Sequence, residues 1–213
     1  MADGDSRATV SVIGVGRVER PADRARATFV VEATRPTAAD ARAVSAGIAR
    51  SVLDALAAAG VPAPDLRTAG LDLSPNWEHD GNRPVRTGFT VANRIAATVR
   101  DLELVGRVLD AGLEAGATGL DGVTFLLGDP APAEEEARRL AVADARSRAA
   151  TIADAAGHAL GALVSIAEGA ALPVPIARPE FRMAMMATDT SPTPVLPGQV
   201  EVTVTVTAAW ELA

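Results

Sequence analysis

Apolar residues alternate with polar ones along much of the chain and recur at helical spacing elsewhere, so the pattern predicts both strands and helices. From Arg24 to Thr34 the alternation is strict: Ala25, Ala27, Phe29, Val31 and Ala33 point one way, and Arg24, Arg26, Thr28, Val30, Glu32 and Thr34 the other. Such a period of two with one polar face describes a half-buried strand. The last residues repeat it, with Val200, Val202, Val204, Val206, Ala208, Trp210 and Leu212 set between Glu and Thr. Thr9 to Val18 reads as a strand interrupted by Gly14 and Gly16, and Leu66 to Trp77 as a weaker one. After the turn residues His79 to Pro84 comes a long strand in which Val85, Thr87, Phe89, Val91, Asn93, Ile95, Ala97 and Val99 share a face. Its length predicts a bend or bulge near Gly88 or Asn93. Leu120 to Leu127 and Leu160 to Glu168 complete the strands.

Three helices separate them. Thr37 caps the first, with an apolar stripe of Ala41, Val44, Ile48, Val52, Leu56 and Ala59, and Gly60 stops it before Pro62. Asp101 caps the second, which Gly116 ends. Asp129-Pro130 opens the third, which runs to Ala156 and stops at Gly157. Its buried face is mostly Ala137, Ala141, Ala145, Ala149 and Ala156, with Leu140 and Ile152, and such small side chains let a helix lie close to its support. Residues 169–199 break the pattern with six prolines and read as a long Pro/Met-rich loop. The order ββ-α-ββ-α-β-α-β-loop-β predicts an α+β fold. We expect long antiparallel strands in a twisted sheet with three helices packed on it, built from overlapping β-α-β units. The whole of 1–213 forms one domain or two intertwined lobes.

Composition narrows the chemistry. The 213 residues carry a net charge of -7, which argues against a nucleic-acid partner. There is no cysteine, hence no disulfide, thiolate metal site or cysteine nucleophile. Every basic side chain is Arg, which excludes a Schiff-base or P-loop lysine, and two histidines cannot make a triple-His zinc site. No apolar run is long enough to span a membrane. The first residues show no export signal, so the chain as it stands reads as cytoplasmic; it would be exported or periplasmic if a signal peptide had been removed.

Several blocks together resemble a known family. They are VIGVGRVERPAD at 12–23, LDALAAAG at 53–60, DLRT at 65–68, GFTVANR at 88–94, ARRLAVADAR at 137–146, SIAEG at 165–169 and the strand at 200–212. In this order they resemble the SIMPL-domain proteins, a bacterial group that includes periplasmic immunogenic and outer-membrane antigen proteins. Phe89 and Trp210 stand where many members have Tyr. The resemblance implies an α+β fold and large, ring-like homo-oligomers. It implies roles in stress tolerance or at the cell envelope, and no established catalytic residues.

The candidate chemistry is sparse. Gly14-Val-Gly16 lacks the third glycine and the following helix of a dinucleotide fingerprint, so its glycines are read as structural. Glu78 and His79, beside a turn, could donate to a metal; the plainer reading is a solvated hairpin tip with Trp77 packed beneath it. Met183, Met185 and Met186 are thioethers suited to Cu(I), or adaptable apolar filler. Asp72 and Glu78 make a nominal carboxylate pair, and His158 suits the C-terminal end of the third helix. The reading is therefore a non-catalytic homo-oligomeric structural or binding protein with no cofactor and no assigned catalytic or metal residue. The alternatives are a copper or small apolar ligand carrier using the Met residues with Glu78 and His79, and an enzyme using Asp72, Glu78 and His79.

Overall fold

The computed structural model describes residues 8–81, 83–169, 172–176 and 193–213. The elements follow the expected order: β1 (Thr9–Pro21), β2 (Arg24–Arg35), α1 (Ala38–Ala58), β3 (Leu66–Asp80), β4 (Arg83–Val99), α2 (Val105–Glu114), β5 (Gly119–Leu126), α3 (Ala131–Ala155), β6 (Leu160–Glu168), β7 (Leu172–Ile176) and β8 (Gln199–Leu212). The strands divide between two antiparallel four-stranded sheets rather than forming one. The chain accordingly falls into two units.

The first unit is built on β8. That strand pairs with β1 along its whole length on one side, and with β6 and then β7 on the other. Its valines at 200, 202, 204 and 206 are at most 2% exposed. At ~1.5–3 kcal/mol for each buried Val, this face is the main apolar support of the unit. The covering element is α3. Ala133, Ala137, Ala141, Ala145, Ala149 and Ala153 recur every four residues and are all buried. They lie on the glycines of β1: a Cβ built on Gly14 would stand 2.1 Å from the Ala141 carbonyl oxygen, and one on Gly16 only 1.8 Å from that of Ala137. The Gly-x-Gly pair is therefore the seat of an alanine-faced helix, which explains both motifs together. The row turns along i, i+4, so Ala153 is inside while Ala156, Leu140 and Ile152 are exposed, against expectation. Within the segment expected to be loop, 172–176 form a strand. Prolines at 173 and 175 are tolerated there because β7 is an edge strand.

In the second unit the strand order is β3-β4-β2-β5. Phe29, Val31, Ile95, Ala97 and Val99 meet Val52 and Leu56 of α1 and Val105, Val108 and Leu109 of α2 in one buried cluster. Gly112 lets α2 sit on Phe29, whose ring lies 2.3 Å from where a Cβ would be. Thr37 caps α1 as expected, accepting from the Asp40 amide. The stripe of α1 runs through Ala41, Ser45, Ala49, Val52 and Leu56; Val44 and Ile48 flank it half-buried. Asp101 caps a short 3-10 turn, Leu102–Leu104, that leads into α2. The helices stop where the glycines predicted. At the end of α3, Gly157 takes φ +77 and the His158 amide donates back to the Ala153 carbonyl.

Candidate functional site

Of the sequence-predicted residues, Asp72, Trp77, Glu78 and His79 lie on β3 of the β3–β4 hairpin. Its two strands pair from Leu66–Ala97 to Asp80–Arg83, and Gly81 makes the turn at φ +62. The register slips twice, opposite Arg94–Ile95 and between Asn76 and Trp77. The second slip leaves Thr87 unpaired in β4, beside Gly88 as anticipated. Because a bulge shifts the alternation by one, Arg86 rather than Val85 joins Phe89 on one face. The Arg86 guanidinium stacks 4.9 Å from the Phe89 ring centre, consistent with that arrangement. Val85 is thereby turned to the opposite face, a correction to the continuous alternation expected for this strand.

The hairpin outruns its sheet. β2 ends at Arg35, which pairs with Phe89, so beyond this point β3 and β4 continue as a two-stranded ribbon. On the face that α1 covers farther back, β3 presents Leu71, Leu73, Pro75 and Trp77. Leu71 is 63%, Leu73 55% and Trp77 57% exposed. The indole is therefore not packed beneath the tip. Leu71 pairs with Asn93 and Leu73 with Val91, which is buried. The strip thus continues the core face of the sheet into the open. β3 is also an edge strand, with one side of its backbone unpaired within its sheet.

The other face is polar and cross-braced. Asn76 and Thr90 exchange hydrogen bonds of 2.9 and 3.1 Å, and the Thr90 hydroxyl lies 2.7 Å from that of Thr34. Arg94 reaches Asp72 on one side at 2.7 Å and Asp121 of β5 on the other at 3.0 Å. Both carboxylates, Asp121 foremost, raise the pKa of the Arg94 guanidinium.

Of the chemistry anticipated, little is assembled here. Glu78 is exposed and pairs across the hairpin with Val85. His79 is next to it in the strand, opposite Pro84. Asp72 is held by Arg94, and six residues of strand separate it from Glu78, about 20 Å at 3.3 Å per residue. The two carboxylates therefore do not form a pair. Met183, Met185 and Met186 lie outside the described residues. Among the described residues no group of three His, Asp or Glu side chains is gathered as for a metal, and no helix is long and apolar enough to cross a membrane. The exposed apolar strip escaped the sequence reading. Its alternation of Leu71 and Leu73 with Asp72 and Ser74 was visible, but not that α1 leaves it uncovered.

The ion pairs elsewhere are structural. Arg100 grips Asp65 through two bonds of 2.6 and 2.9 Å and lowers its pKa below the ordinary value. Asp144 accepts from the Val15 amide at 2.9 Å and from Arg148 at 2.8 Å, and these contacts, the amide first, lower its pKa too.

Comparison with known proteins identifies the family. The SIMPL family profile, "Protein of unknown function (DUF541)", matches residues 10–210. The chain is 32% identical to the "26 kDa periplasmic immunogenic protein" of Brucella abortus, over 96% of its own length and 85% of the relative's. The protein of the same name from Brucella melitensis is 31% identical over the same shares. The uncharacterized protein YggE of Edwardsiella ictaluri is 27% identical over 72% of this chain and 64% of its own. With its sequence blocks in order and a family match across nearly its entire length, the chain belongs to the SIMPL family.

Proposed function

We propose that this protein is a non-catalytic, homo-oligomeric structural or binding protein that works outside the cytoplasm, and that copies associate through the β3–β4 hairpin. The observation that carries the reading is the exposed strip of Leu71, Leu73 and Trp77 on an edge strand. Long apolar edge strands are a liability unless something covers them. A second copy supplies such a cover, and a self-complementary contact between copies closes into a symmetric assembly. The extracytoplasmic placement is supported by the relatives from Brucella, whose names call them periplasmic.

Light scattering on a sizing column tests the assembly. The expected mass is a multiple of the 21.7 kDa protomer that holds on dilution. A mass of one protomer at every concentration would remove the assembly from the account. Osmotic-shock release from cells of the source organism tests the placement: the protein is expected with the released fraction, and retention with cytoplasmic markers would contradict it.

A further inference from the structure

A second strand edge, in the other unit, has a different character. β1 pairs with β8 in unbroken register, so its residues alternate between bonding inward to β8 and pointing outward. Two bonds fix which do which. The Leu212 amide donates to the Ala8 carbonyl at 2.8 Å, placing the even residues inward. The Val15 amide donates instead to Asp144 of α3, placing the odd residues outward. Farther along, the outward Glu19 carbonyl accepts from Arg20, whose guanidinium also pairs with Glu136 of α3. Side chains tied to α3 thus plug this edge at 15 and 19.

At Ser11 and Ile13 the same edge opens into a groove of about 790 Å³. One wall is α3, through Ser147, Arg148, Thr151 and Ile152. Ile13 and Ile152 are 58% and 48% exposed. The charged member of the lining, Arg148, is already neutralised by Asp144. The groove therefore offers a short run of outward backbone donors and acceptors, two apolar side chains, hydroxyls and no net charge. We propose that it receives an uncharged, extended segment of another polypeptide, added to β1 as a strand whose successive side chains fall in turn on the Ile13 face of the sheet and on the opposite face, beside Ile152 of α3. Strand addition draws affinity from main-chain bonds and selectivity from alternate side chains, and both are present here. A charged segment would have to surrender its hydration with nothing to neutralise it. The proposal is independent of self-association through the β3–β4 hairpin.

Residue-resolved amide exchange on the full chain tests it, with the peptide Ac-Thr-Val-Thr-Val-Thr-NH2 as probe. Without peptide, the Val10 and Val12 amides should be protected and those of Ser11 and Ile13 should exchange freely. Peptide should slow Ser11 and Ile13 by about tenfold or more, whereas the same peptide N-methylated at every amide, with neither edge left to donate, should not. Ile13→Asp should abolish the effect at an unchanged melting temperature, since the side chain is exposed. Protection of Ser11 and Ile13 before peptide is added would overturn the proposal, because something else, such as a second copy, would already fill the edge. Equal protection by the N-methylated peptide, or none by either, would overturn it as well.

Discussion

At the scale of single residues, the strongest constraint is the contact of Gly14 and Gly16 with the backbone of α3. Gly16→Ala puts a methyl 1.8 Å from the Ala137 carbonyl oxygen, where no rotamer can relieve it. The helix must shift, and we expect a loss of about 3 kcal/mol in urea unfolding. A loss under ~0.5 kcal/mol would mean that α3 does not rest there. Ser45 errs in the opposite direction. It is 1% exposed on the inner stripe of α1, and its hydroxyl finds no partner among the described residues. Ser45→Ala should leave stability unchanged or raise it by up to about 1 kcal/mol, read from the same unfolding curves, because a buried unpaired hydroxyl costs free energy and Ala is the better helix former. Marked destabilisation would show that the hydroxyl is bonded after all. Asp65, Asp144 and Glu168 are all lowered by their partners, Glu168 chiefly by Arg138. A lowered carboxylate stabilises the fold above its unfolded-state pKa and loses that contribution as pH falls through the folded value. The melting temperature should therefore fall from about pH 4 downward, and Asp65→Asn should flatten that decline while lowering the neutral plateau. An acid limb unchanged by Asp65→Asn would exclude the Arg100 pair as a source.

Strands and helices show where sequence is legible and where it stops. In β2 and β8 the alternation follows the burial closely because each strand has neighbours on both sides and a helix-covered face, although Val30, on the other face of β2, is buried as well. Helix ends were legible because Thr37, Gly60, Gly116 and Gly157 act locally. The stripe of α3 was half legible: its alanines are inside, but Leu140 and Ile152 are out, because fit against glycine selects small residues over large apolar ones. Val85 was misassigned because one bulge inverts every face beyond it. The apolar strip of β3 was invisible as an exposed surface, since the same leucines would be core if the helix were longer. At this scale the expectation is that Leu71→Asp with Leu73→Asp keeps the native far-ultraviolet circular dichroism at about 25 °C, both side chains being exposed in the protomer, while the melting temperature falls to the value of the unassembled chain. Loss of the native spectrum would show that the strip is covered within the protomer.

For the whole molecule, the division into two sheets is what one-dimensional patterning could not deliver, because β8, the last strand, completes the sheet that β1 begins. Pairing between chain ends is set by topology and has no local signal. Functional residues were hardly legible for a related reason. Glu78 and His79 sit together in sequence on neighbouring positions of β3, and among the described residues no cluster of three His, Asp or Glu side chains forms. The account therefore places function on surfaces, and its central claim is that the β3–β4 hairpin joins copies of the chain. Sedimentation velocity of the unmodified protein beside the Leu71→Asp, Leu73→Asp variant tests that claim most directly. The account predicts one assembled species for the unmodified protein and a folded single protomer for the variant. Assembly that survives in the variant, or a single protomer in both, would contradict it.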